Sequence, residues 1–180
     1  MEIQKTKIEG LLIIKPTVFT DERGSFFEPY NKQIFASHGL NMEFVQDNQS
    51  VSSKGVVRGI HLQSPPFAQG KLVRVVCGSA VDAAVDIRKS SPTFGQHVLV
   101  KLDAKENTLF WIPEGFAHGF IALEDNTIFQ YKVTNYYNKN SEMSIRWDDP
   151  TLNIPWGIEQ PVVSEKDRQS PLFEDFTSPF

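Results

Sequence analysis

Cysteine is almost absent from this 180-residue sequence: Cys77 stands alone, so no intramolecular disulfide can form. Within an apolar strand pattern it is expected to be a small buried hydrophobe rather than a nucleophile. Histidine is scarce too. The four histidines, at 38, 61, 97 and 118, include no His-x-His pair, so the paired ligands of a jelly-roll metal site are missing and no metal centre is expected. There is no excess of positive charge, since 18 Lys and Arg face 22 Asp and Glu. That balance excludes a general nucleic-acid binder, and any bound anion must meet a local cationic pocket. Long apolar runs are also missing. The N-terminal "MEIQKTKIEGLLIIKPTVF" holds a run of only four apolar residues, far short of a signal-peptide core or the roughly 20 residues that span a bilayer. A cytoplasmic protein with no membrane partner is the expectation.

What is present reads as one domain over 1–180, because 40% hydrophobic and 22% charged residues can build a sizeable core and leave no disordered tract. Short Val-, Ile- and Phe-rich runs separated by Gly, Pro, Asn or Asp predict strands at 11–14, 25–30, 43–51, 57–63, 71–77, 80–88, 96–102, 108–112, 119–123, 127–134 and 143–147. About eleven strands without βαβ alternation imply an antiparallel sandwich or barrel. Two short helices are expected, "KQIFASH" capped by Asn31 and stopped by Gly39, and "EKDRQ" capped by Ser164.

The segment "VVRGIHLQSPPFAQGKLVRVVCG" (56–78) reads as two apolar strands around a turn, yet carries Arg58, His61, Lys71 and Arg74. Those charges mark either a solvated sheet face or a pocket lined by a base and anion-binding cations. His61 is costly to bury without a hydrogen bond; it is either a satisfied structural histidine or a general base, a role that suits histidine as a residue type because imidazole titrates close to working pH. A carboxylate can hold the second nitrogen of such a base in one tautomer, and Asp167 in "VVSEKDRQSP" is a candidate that spacing does not distinguish from a surface aspartate. His118, between Ala117 and Gly119 in "FWIPEGFAHGFIAL", is either a turn histidine or one presented into a pocket where Gly115 and Gly119 make room. Tyr131 shares a strand face with Phe129 and Val133, as a core residue or as a phenolic acid toward an enolate. In "VDAAVDIR" the strand period puts Asp82, Ala84, Asp86 and Arg88 on one face, to be either solvated or the wall of a wet cavity.

Taken together, "DERGSFFE" (21–28), "QDNQSVSSKGVVRGIHLQ" (46–63), "QGKLVRVVCG" (69–78), "DAAVDIRKSSPTFGQ" (82–96), "WIPEGFAHGF" (111–120), "YKVTNYY" (131–137), "IRWDDP" (145–150) and "SEKDRQSP" (164–171) resemble, in order and spacing, the dTDP-4-dehydrorhamnose 3,5-epimerase family. The resemblance implies an all-β, antiparallel, cupin-like jelly roll with a few short helices, acting without cofactor or metal on a dTDP-4-keto-6-deoxy sugar in dTDP-L-rhamnose biosynthesis. It implies that His61 and Asp167 remove protons beside a C4 ketone and that Tyr131 returns them from the opposite face. One base alone would return each proton where it found it. By the same resemblance Lys71 stabilises the enolate oxygen with Asp82 nearby, and Arg58, His118, Gln46, Asn48 and Tyr136 contact substrate. Arg23 and Glu28 would reach a partner's site in a homodimer built partly by strands 1–30, and segment 160–180 would pack back near the site. Strict alternation puts Arg58 on the face opposite His61; a bulge at Gly59 would bring both into one pocket. Leu62 stands where many relatives carry an aromatic residue, a difference of packing. The motifs leave open a 3-epimerase or ketoisomerase on a related sugar, and more remotely a non-catalytic sugar-binding jelly roll.

Overall fold

The Val-, Ile- and Phe-rich runs pair into fourteen strands in a computed structural model covering residues 1–180. One sheet contains β1 (Glu2–Lys5), β2 (Leu12–Lys15), β5 (Gln46–Ser52), β7 (Lys71–Cys77), β10 (Leu109–Ile112) and β12 (Thr127–Val133), in the order β1-β2-β10-β7-β12-β5. The second contains β6 (Val56–Gln63), β8 (Ser79–Asp86), β9 (His97–Asp103), β11 (Phe116–Ala122) and β13 (Glu142–Ser144), in the order β13-β6-β11-β8-β9. The short β14 (Val162–Val163) adds to β6 in parallel, and β3 (Val18–Asp21) with β4 (Gly24–Phe27) forms a hairpin apart from both sheets. The expected antiparallel jelly-roll sandwich is therefore what forms. β1, β3 and β14 were not expected; at two to four residues each, they are too short for periodicity to reveal.

Between the sheets lies a core of Val73, Val75, Phe110 and Phe129 from one side and Ala84, Val100, Phe116 and Phe120 from the other. The outer face of the second sheet is buried as well. Val57, Ile60, Ala83, Val85 and Ile121 pack against Ile145, Leu152, Ile154, Trp156 and Val163 of the C-terminal segment, and the Trp156 indole donates to the Trp147 carbonyl at 2.7 Å. Coverage on both sides explains why every residue of β11 is buried, a pattern closer to a continuous apolar run than to alternation. It also carries the chain end past β6, where the next element begins.

That element is α2 (Glu165–Arg168), with the Ser164 hydroxyl accepting from the Asp167 N–H. α1 (Lys32–Ser37) likewise has its Asn31 cap, and its Phe35 packs on Ile14, Leu72 and Leu109 outside the first sheet. Gly39 follows it at φ +79°, the left-handed stop the sequence predicts.

Two expectations need correction. Cys77 is exposed. Residues 75 and 77 of β7 face neighbouring residues 129 and 128 of β12, so Val76 is an extra residue, and the bulge breaks the alternation that would have turned Cys77 inward. The face of β8 that carries Asp82, Ala84 and Asp86 is neither solvated nor the wall of a wet cavity. Asp82 and Asp86 are 0% exposed and Ala84 belongs to the inter-sheet core. Asp86 is satisfied by Arg88, Ser91 and Thr93. Burial pushes its carboxyl up, but those bonds outweigh burial and hold it at about 2.

Candidate active site

A cleft of about 610 Å³ is lined by residues from both sheets, among them Arg58, His61, Lys71, His118 and Tyr131, and by Asp167 of α2. His61 comes from β6 and His118 from β11, directly opposite each other in the ladder. Lys71 and Tyr131 come from β7 and β12 of the other sheet. The cleft thus has two walls with different chemistry.

On the first wall, His61 Nε2 lies 2.6 Å from Asp167 Oδ1. The Gly59 N–H reaches Asp167 Oδ2 at 3.3 Å. Burial pushes the Asp167 carboxyl up, yet the His61 ring, the Gly59 N–H and Ser164 together hold it below its ordinary value. Asp167 is therefore a carboxylate at neutral pH, and Nε2–H is the natural donor to it. Nδ1 of His61 is left with its lone pair, on a side chain that is 33% exposed; a proton can be taken there and the resulting charge shared with Asp167.

Lys71 and His118 form a buried second pair. Lys71 Nζ lies 3.4 Å from the His61 carbonyl and 3.5 Å from His118 Nδ1, while His118 Nε2 lies 2.9 Å from Asp82 Oδ2. Asp82 therefore sits behind His118 rather than in contact with Lys71, and it does not line the cleft. Its Oδ1 is buried without a partner. Burial lowers the Lys71 ammonium to about 8, with Asp82 and Glu142 opposing the shift. Burial also lowers His118, so the imidazole is neutral, donates from Nε2 to Asp82 and offers the Nδ1 lone pair toward Lys71. Tyr131 is pushed up by burial, and the Arg58 charge offsets part of that push. The phenol therefore holds its proton at neutral pH.

The bulge needed for Arg58 is present. Between the pairs His118↔His61 and Phe120↔Arg58, β6 has one residue more than β11, and Gly59 takes φ +130°. A Cβ at Gly59 would lie 2.6 Å from Gly119 Cα, so two glycines are required where the strands close on each other. The extra residue returns Arg58 to the side of His61.

The remaining predicted residues are placed less directly. Gln46 and Asn48 bond to each other at 2.8 Å, with Asn48 opposite Tyr131 across β5 and β12; their neighbours Gln49 and Ser50 line the cleft instead. Tyr136 is 61% exposed, and it is Tyr137 that reaches the cleft. Arg23 pairs with Asp21 at the hairpin tip and Glu28 accepts from Asn31, both outside this cleft. Sequence reasoning missed Glu142 and Lys166, a 2.6 Å ion pair at the cleft wall. Lys166 was within reach as the neighbour of Asp167; Glu142, on a three-residue strand, leaves no pattern. No group of three or more His, Cys, Asp or Glu side chains is placed to hold a metal ion.

A family model described as dTDP-4-dehydrorhamnose 3,5-epimerase matches residues 5–175. The dTDP-4-dehydrorhamnose 3,5-epimerase of Shigella flexneri is 52% identical over 176 residues, 97% of either chain. The crystal structure of a dTDP-6-deoxy-D-glucose-3,5-epimerase from Legionella pneumophila, in complex with dTDP-4-keto-L-rhamnose, is similar at a TM-score of 0.93 and 47% identity, covering 98% of this chain and 94% of that one. A 3′-monoepimerase from Streptomyces bikiniensis, in complex with dTDP-quinovose, is similar at a TM-score of 0.87 and 32% identity, over 93% of this chain and 85% of its own.

Proposed function

The chain belongs to the dTDP-4-dehydrorhamnose 3,5-epimerase family, and from that premise we infer that it is an isomerase converting dTDP-4-keto-6-deoxy-D-glucose to dTDP-4-keto-L-rhamnose, in dTDP-L-rhamnose biosynthesis. One observation carries the reading: a histidine–carboxylate dyad and a protonated tyrosine stand on different sheets, and so on different walls of one cleft. His61 takes the protons from C3 and from C5 in turn, with Asp167 steadying the imidazolium each time. The electron pair moves into the C4 carbonyl. Lys71, whose ammonium is already short of solvent, meets the enolate oxygen, where a fixed cation in a dry site stabilises developing charge most. Tyr131 then gives its proton to the carbon from the other side, and solvent at the cleft mouth restores both groups. Arg58 and His118 hold the diphosphate and sugar, with Gln46, Asn48 and Tyr136, which stand beside the lining residues Gln49, Ser50 and Tyr137 rather than in the lining, as outer contacts at the rim, and 1–180 works as one catalytic domain.

Epimerisation in heavy water tests this. Wild type should place deuterium at both C3 and C5; incorporation at C3 alone would assign the chain to the monoepimerases. His61→Asn should abolish exchange and inversion together. Tyr131→Phe should still exchange, because His61 can return a proton to the face it came from, while inversion falls by about 10²–10⁴. Exchange persisting in His61→Asn, or full inversion in Tyr131→Phe, would overturn the assigned roles.

The partner in this reading is a second copy of the chain. The β3–β4 hairpin exposes Phe19 (62%) and Phe26 (66%) beside Arg23, an apolar pair more consistent with a homodimer interface than with solvent. Phe19→Asp should raise the dissociation constant of the dimer in sedimentation, and a wild-type monomer with full activity would refute the assembly. A cytoplasmic location completes the proposal; recovery of the chain from membranes or from outside the cell would refute it.

A further inference from the structure

Arg58 is a cation at the cleft without a counterion. Arg23, Arg88 and Arg146 are ion-paired; Arg58, Arg74 and Arg168 have only neutral partners, and of these three Arg58 alone lines the cleft. Its Nε donates to Ser52 Oγ at 3.1 Å and its Nη2 to the Val51 carbonyl at 3.3 Å. Ser52 ends β5, is 4% exposed, and does not itself line the cleft. A carboxylate in its place would orient the guanidinium and cancel its charge at once; a hydroxyl orients it and leaves the charge for a ligand. Nη1 and the second Nη2 hydrogen also remain free as donors.

Such an anchor matters here because Arg58 owes its direction to the bulge at Gly59 and is a long, exposed side chain that without an anchor would have rotamers to lose on binding. We propose that Ser52 is a positioning residue for nucleotide binding, its buried hydroxyl holding the Arg58 guanidinium in the orientation that meets the diphosphate. The proposal rests on the reading of Arg58 as a diphosphate contact, and the test keeps the two apart.

Calorimetric titration with dTDP should be run on wild type, Ser52→Ala, Arg58→Ala and the double variant. Arg58→Ala should weaken binding by about 10- to 100-fold, and Ser52→Ala by about 3- to 10-fold, the fold-changes of a charged and a shared hydrogen bond. In the Arg58→Ala background, Ser52→Ala should add less than about twofold. Kinetically, Ser52→Ala should raise KM with kcat within about twofold, the mark of binding lost equally from the ground and transition states. Ser52→Thr and Ser52→Val differ by the hydroxyl alone, so the Thr variant should bind more tightly than the Val variant even if both disturb packing. Wild-type dTDP affinity in Ser52→Ala, an undiminished effect in the Arg58→Ala background, or equal affinities for the Thr and Val variants would overturn the role of Ser52. Unchanged affinity in Arg58→Ala would remove the diphosphate reading itself.

Discussion

Replacing Lys71 with methionine should make the protein more stable and nearly inactive at the same time. Lys71 is 8% exposed, and its ammonium is displaced from 10.5 to about 8, a value already net of attraction to Asp82 and Glu142. At about 1.4 kcal/mol per tenfold, that displacement sets the native state against the charged side chain by roughly 3 kcal/mol. Below about pH 8 both folded and unfolded chains carry the proton, and the full penalty applies. Between about 8 and 10.5 the unfolded chain holds the proton more tightly than the folded one, so wild-type stability rises with pH as the penalty is relieved. Methionine, close in length and uncharged, has no such penalty. Urea unfolding at fixed protomer concentration should therefore find Lys71→Met more stable by about 3 kcal/mol at pH 7, and by about 1 kcal/mol at pH 9.5. Activity should fall by about 10²–10³, the usual loss for one preorganised oxyanion partner. Wild-type kcat/KM should decline above about pH 8 as the free enzyme loses the cation. A variant less stable than wild type at pH 7, or a stability gap that does not narrow at higher pH, would show that the buried Lys71 ammonium carries no such penalty.

Asp86→Asn should act in the opposite sense: the carboxyl, ordinarily 3.8, is held at about 2, so its roughly 2 kcal/mol of stability is complete above the unfolded value and lost as pH falls through the folded one. Denaturation should find that gap at pH 7 and see it close toward pH 2, and a gap constant with pH would exclude the linkage. Gly59→Ala should cost on the order of 3–5 kcal/mol, since the new Cβ would meet Gly119 Cα at 2.6 Å with φ at +130°. Gly39→Ala, at φ +79° but with nothing within 4 Å, should cost only about 1 kcal/mol; equal melting temperatures for the two variants would contradict the close-approach argument.

Much of this was legible because it is local. The period of two marks the strands, Asn31 and Ser164 mark the helix starts by bonding the N–H groups just after them, and Gly59 marks the one place where β6 can bulge beside His61. Other features were hidden because they depend on what packs from elsewhere. β8 reads as a strand with one polar face, and nothing in its own residues says that both faces are covered. That His118 takes Asp82 as its partner follows from the neighbouring positions of β8 and β11 in the sheet, and Cys77 turns outward through a bulge that its apolar surroundings do not announce.

Eleven of the fourteen strands, to within a few residues, the antiparallel class and, through the ordered motifs, the family can be read from the chain alone, because alternation, turn chemistry and residue spacing are written along it. Which groups meet is set by packing between distant segments. His61 and Asp167 are separated by 106 positions, and they touch because the apolar C-terminal segment covers the second sheet and ends its run at β14 beside β6. The same burial that brings Lys71, His118 and Tyr131 together also shifts their proton affinities, and burial belongs to the packed sandwich, not to any segment of it.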